Sequence, residues 1–136
     1  VVLNEDELSP KITDFAVSDI DGNDLTETSF IGKKLFIIIK KFEKVSDNEL
    51  VNLKELASSL ASNNVESLIL TSAILQTVQE NYSKAQLPAS LYNTDEKVLK
   101  AMARTNSVVY LLNDGLVKGK WSSHNIPNKK DVLELL

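Results

Sequence analysis

The residues best placed to do chemistry lie in one short stretch, Lys40-Lys41-Phe42-Glu43-Lys44-Val45-Ser46. Lys40, Lys41 and Lys44 follow an apolar run and precede a helix start at Ser46. In open α/β sheets, ligands favour the carboxyl ends of strands. A helix N-terminus adds backbone N–H groups and a partial positive charge. Together they make a candidate site for a carboxylate or a phosphate. The competing reading is a solvated lysine loop, balanced by Glu43 and Asp47, beside a helix whose N–H groups are already capped.

Other chemistry finds little support. The chain has one histidine, His124, and no cysteine. A metal site usually wants several His or Cys ligands, and Ser123 and Asn125 are poor company for one. Ser122 and Ser123 neighbour His124 in sequence only, so a nucleophile–base pair is not specified. His124 reads as a surface or hairpin-end residue hydrogen-bonded to backbone. Pairs such as Glu43 with Glu49, or Asp114 with Asp19 or Asp21, carry nothing that marks an acid or base. Asp21 and Asp114 are better explained as turn formers. Gly22, Gly32, Gly115 and Gly119 are scattered, so there is no phosphate loop. No motif asks for a cofactor, and the chain is not expected to be an enzyme.

These residues must be held by a scaffold. The 136 residues, 43% hydrophobic and 25% charged, fit one soluble domain. A net charge of −4 argues against attraction to nucleic acid or anionic membrane. The longest apolar run is far short of the roughly 20 residues of a membrane span. The chain opens on Val1, with no signal-peptide pattern before the domain, as a piece of a longer product would. Residues 1–10 read as an acidic lead-in and residues 11–136 as the domain.

Residues 11–18 alternate like a strand. Asp21-Gly22 signals a hairpin turn, with residues 24–26 returning. A helical turn over 27–31 closes at Gly32. Leu35-Phe36-Ile37-Ile38-Ile39 reads as a strand buried on both faces. Residues 46–62 carry the helical stripe Leu50, Leu53, Leu56/Ala57, Leu60. Ser46 and Glu49 have capping-box spacing. A strand over 65–70, a helix over 72–84 and a short strand over 90–92 follow. Thr94 is expected to cap a helix with Val98, Leu99 and Met102 inward. Residues 108–112, Asn113-Asp114-Gly115 and 116–121 form a hairpin. Asn128 opens a last helix. Strands alternating with helices imply a mixed sheet covered on both faces. Phe36, Ile38, Leu53, Leu56, Leu70, Val109, Leu111 and Trp121 are the expected core.

Three segments carry a resemblance: Ile12-Thr13-Asp14-Phe15-Ala16-Val17-Ser18-Asp19-Ile20-Asp21-Gly22, Phe30-Ile31-Gly32-Lys33-Lys34-Leu35-Phe36, and Asn113-Asp114-Gly115. In this order and spacing the chain resembles thioredoxin-fold proteins of the lipoprotein-thioredoxin and peroxiredoxin type. The resemblance implies a thioredoxin-like α/β fold, its central mixed sheet flanked by helices with an N-terminal β-hairpin. It places that family's two cysteines near Glu43 and Ser46, its preceding aromatic at Phe42 and its cis-proline near Ser107. A non-proline cis bond costs roughly 2.5–4 kcal/mol, so a trans bond is expected before Ser107. Glu43 to Ser46 should meet Asn106-Ser107 at one end of the sheet. With no sulfur to form a thiolate, the family's thiol chemistry is excluded.

A second stretch, Gly115-Leu116-Val117-Lys118-Gly119-Lys120-Trp121-Ser122-Ser123-His124-Asn125-Ile126-Pro127, resembles the C-terminal thioredoxin-like part of DoxX-type bacterial membrane proteins. That resemblance implies an extracytoplasmic domain tethered to a membrane segment. The sequence thus points to a redox-inactive interaction or accessory module that binds or supports an unidentified protein partner. The alternative is a binder of small anions at Lys40, Lys41 and Lys44.

Overall fold

Lys33–Ile39 form the central strand, β1, and six of its seven residues are buried. The computed structural model that shows this describes residues 16–122 and 125–136. Leu35, Ile37 and Ile39 point into one apolar cluster, while Phe36 and Ile38 point into another. A strand with helices on both sides needs apolar side chains on consecutive positions, because successive residues face opposite ways.

The other strands are β2 (Glu66–Thr71), β3 (Ser90–Asn93), β4 (Ser107–Asn113) and β5 (Leu116–Ser122). They form one sheet in the order β3-β2-β1-β4-β5. β1, β2 and β3 run parallel, and β4 and β5 antiparallel to their neighbours. The helices are α1 (Thr26–Ser29), α2 (Asp47–Ala61), α3 (Leu75–Ala85), α4 (Glu96–Met102) and α5 (Lys129–Leu133), with a 3-10 turn at Phe42–Lys44. Leu53, Leu56, Ala57 and Leu60 of α2, Leu75 of α3 and Val132 of α5 fill the first cluster. Leu99 of α4, Ala103 and Val17 fill the second, where the Phe30 and Phe36 rings lie 5.9 Å apart.

Local signals held at several ends. Ser46 caps α2 in a complete capping box. Asn128 accepts from the Asp131 N–H at 2.9 Å to cap α5. Asp114 and Gly115 both have positive φ, at 49° and 84°, as a tight two-residue hairpin turn requires. The Asp114 carboxylate also accepts from the Gly32 N–H at 2.7 Å, tying two turns together.

Of the expected N-terminal hairpin, Ser18 pairs antiparallel with Asp24, the Leu25 N–H donates to the Val17 carbonyl at 2.8 Å and the Asp19 N–H to the Asn23 carbonyl at 3.1 Å, and Ser18 also bridges Asn93 of β3. Residues 11–15 of its first strand, expected over 11–18, lie outside the described residues. Three expectations need correction. Thr94 is not a helix cap: Asp95 holds that position, and the buried Thr94 hydroxyl donates to the Ala16 carbonyl at 2.6 Å. The helix expected over 72–84 starts later, at Leu75, and has no side-chain cap. Trp121 is half-buried and packs on the rim of the first cluster, because β5 is an edge strand. Among the described residues no helix is long and apolar enough to cross a membrane.

Candidate functional site

The candidate site is built at the carboxyl end of β1. Ile39 pairs with Ser107, so the chain leaving β1 and the chain entering β4 start side by side. The Lys40 N–H donates to the Asn106 carbonyl at 2.9 Å. The Asn106 side chain then does what one more strand residue would do. Its Oδ1 accepts from the Lys41 N–H at 3.0 Å, and its Nδ2 donates to the Lys41 carbonyl at 2.9 Å. This clasp continues the antiparallel ladder past the last strand residue and fixes the lysine loop.

One carboxylate joins the rest. Glu49 is 8% exposed, in the first turn of α2. Its Oε1 accepts from the Ser46 N–H at 3.2 Å, and its Oε2 accepts from the Ser107 hydroxyl at 3.2 Å. The Ser46 hydroxyl in turn accepts from the Glu49 N–H at 3.2 Å. A carboxylate at a helix N-terminus is favoured by the helix dipole. Here it also bridges α2 to β4. The peptide bonds among the described residues are all trans, including that before Ser107.

Phe42, Glu43, Ser46 and Ser107 therefore stand at one end of the sheet, as expected from the resemblance, although some sixty residues separate Ser46 from Ser107. Phe42 and Ser107 are buried. Glu43 and Ser46 are exposed, as are Lys41 and Lys44, and Lys40 is half-buried. The Ser107 hydroxyl, in a residue only 2% exposed, is closed to a substrate. The ion pairs among the described residues join Lys34 to Glu66, Lys84 to Glu80 and Lys100 to Glu96. None uses Lys40, Lys41 or Lys44, so Glu43 and Asp47 do not pair with them. Ser123 and His124 lie outside the described residues.

The sequence identified Glu49 as a capping partner but gave no sign of its bond to Ser107. A glutamate at the third position of a helix usually faces solvent, whereas this one is buried and bonded to Ser107 at the start of β4. Arg104, exposed in the loop before β4, and Ile74, 67% exposed before α3, were not singled out.

No protein-family model matches the chain, and no curated protein matches it. Solved structures do. The chain is similar to copper-bound ScoI of Arabidopsis thaliana, with 14% identity and a TM-score of 0.65 over 89% of this chain and 94% of that one. A secreted Mycobacterium tuberculosis disulfide oxidoreductase homologous to E. coli DsbE aligns at 12% identity and 0.64, over 93% and 96%. A putative thioredoxin from Neisseria meningitidis aligns at 13% and 0.64, over 88% and 82%. The fold is thioredoxin-like. The chain carries that fold without a cysteine, so it cannot perform thiol–disulfide exchange through residues of its own.

Proposed function

We propose that this chain is a redox-inactive thioredoxin-like module that binds a partner protein or supports one. Its contact surface is the end of the sheet around Phe42 to Ser46 and Asn106-Ser107. One observation carries the reading. Glu49 and the Asn106 clasp fasten this end from beneath, while Lys41, Glu43, Lys44 and Ser46 stay exposed above it. A rigid frame that leaves the exposed Lys41, Glu43 and Lys44 side chains outside any ion pair among the described residues suits recognition, since little order is lost on binding. The closed Ser107 hydroxyl gives no support to catalysis. The DoxX-type resemblance supports a place outside the cytoplasm, as the tethered part of a bacterial membrane protein. The similarity to a secreted oxidoreductase agrees with that location.

Photo-crosslinking tests this. A photoreactive residue at position 43 is compared with one at position 64, which is exposed beyond the end of α2. Adducts with a defined protein from position 43 alone are expected. Equal labelling from both positions, or none from 43, defeats the reading. In parallel, insulin-disulfide turnover should match the buffer blank.

A further inference from the structure

We infer that the cleft at the amino ends of β2 and β3 binds a small neutral molecule, an apolar body carrying one oxygen that bonds to the Ser67 hydroxyl, independently of the partner reading above. The cleft is open, with a volume of about 610 Å³. It lies at the far end of the sheet from the lysine loop, since β1, β2 and β3 run parallel. Ser67 marks the place. It is 4% exposed, and among the described residues its hydroxyl is the one buried side-chain polar group without a hydrogen-bond partner. A buried hydroxyl left unbonded costs free energy that a bound oxygen recovers. Val65, Ser67 and Ile69 alternate onto one face, where Val65 and Ile69 join the first cluster. A single polar oxygen thus stands in an apolar wall. The Ser107 hydroxyl is held by Glu49, whereas no bond holds this one. Turning Ser67 between staggered rotamers moves its oxygen along the cleft wall that the residue forms.

The walls are set before a ligand arrives. The Tyr82 hydroxyl donates to the Ala89 carbonyl at 2.6 Å, which pins the segment entering β3 to α3. Asn64 takes a φ of 64°, and the Val65 N–H donates to the Leu60 carbonyl at 3.1 Å, turning the chain from α2 into β2. Ala61, Val65, Leu87 and Pro88 supply apolar surface around these few polar groups, as small-molecule sites of this volume do. Charge decides the ligand's class. Among the described residues that line the cleft only Glu66 is charged, and its carboxylate is paired with Lys34. An anion would meet that carboxylate, and a cation would have to draw it from Lys34. Neither would find a counterion beside Ser67, where an unpaired buried charge is costly. A neutral carbonyl or hydroxyl meets no such penalty, because the serine hydroxyl both donates and accepts.

The probe is cyclohexanone, titrated into the whole chain while amide shifts are recorded. Cyclohexanecarboxylate and cyclohexylammonium keep the ring and change only the charge. Saturable shifts with cyclohexanone are expected at residues 64–67, 82 and 87–90. Either charged ring should bind about tenfold more weakly. Ser67→Ala should weaken cyclohexanone about fivefold, the value of one hydrogen bond. Its melting temperature should be equal or higher, because the hydroxyl removed has no bond to lose. Ala61→Phe, made at an exposed position on the cleft wall, should abolish the shifts with an unchanged melting temperature. No saturable shifts up to the probe's solubility limit, shifts centred elsewhere, or equal binding of a charged ring would overturn the inference. So would undiminished binding by either variant. A lower melting temperature in Ser67→Ala would overturn it too, by showing that the hydroxyl already serves the fold.

Discussion

Glu49 decides most at the scale of single residues. It serves the α2 N-terminus and the start of β4 at once, and its burial makes both bonds count. An exposed capping glutamate contributes little. A buried one leaves a backbone N–H and a hydroxyl short of an acceptor when it is removed, and such a loss costs about 1–3 kcal/mol. Glu49→Ala is therefore expected to lower unfolding free energy by about that amount in urea titration. Glu49→Gln keeps a carbonyl oxygen for Ser46 and an amide that can donate to the Ser107 oxygen, so it should cost less than half as much. Equal losses for the two variants would mean that side-chain bulk, not hydrogen bonding, is what Glu49 supplies.

Among elements, β1 holds the two faces together. Ile38 lies in the second cluster and is fully buried between Leu70 of β2 and Val108 of β4 in register. Truncating a buried Ile to Ala costs roughly 2–5 kcal/mol through lost transfer energy and the cavity left behind. Ile38→Ala should shift the denaturation midpoint clearly, and an unchanged midpoint would contradict its burial. This strand was legible in the sequence because five consecutive apolar residues have no good place except the middle of a covered sheet. The α2 cap and the Asp114-Gly115 turn were legible too, since each is settled by residues a few positions apart. What escaped was settled by distant chain. β5 gains an extra residue where the register shifts opposite Leu111/Leu112. That irregularity lets Val117 pack in the second cluster and Trp121 against the first, although four positions apart along one strand they would share a face. Thr94 was read as a cap by its type, and the neighbouring chain at Ala16 claims its hydroxyl instead. At the candidate site the lysine loop was visible, whereas the Asn106 clasp and the Glu49–Ser107 bond depend on β4 arriving beside β1.

On the scale of the whole molecule, the two apolar layers are unequal in helical cover. The first has α2, α3 and α5 over it, and the second relies on α4 with the segments around Val17 and Phe30. Tyr110 of β4 fastens this thinner side: its hydroxyl donates to the Met102 carbonyl at the end of α4, at 2.7 Å. Burial raises its pKa from the ordinary 10.0 to about 12, since a phenolate is poorly solvated there. The folded chain thus holds this proton more tightly than the unfolded chain. Its stabilising effect is complete below about pH 10 and is lost as pH rises toward about 12. Ionisation also removes the O–H that α4 needs, so the second layer should open as a unit. Stability measured by urea titration is expected to fall between pH 10 and 12, and the fall should be shallower in Tyr110→Phe. That variant starts from lower stability at neutral pH, by about 1 kcal/mol for the lost hydrogen bond. A late step in ultraviolet absorbance is expected near pH 12 and should vanish in Tyr110→Phe. Identical alkaline slopes for the two proteins would show that the sensitivity resides elsewhere than in Tyr110.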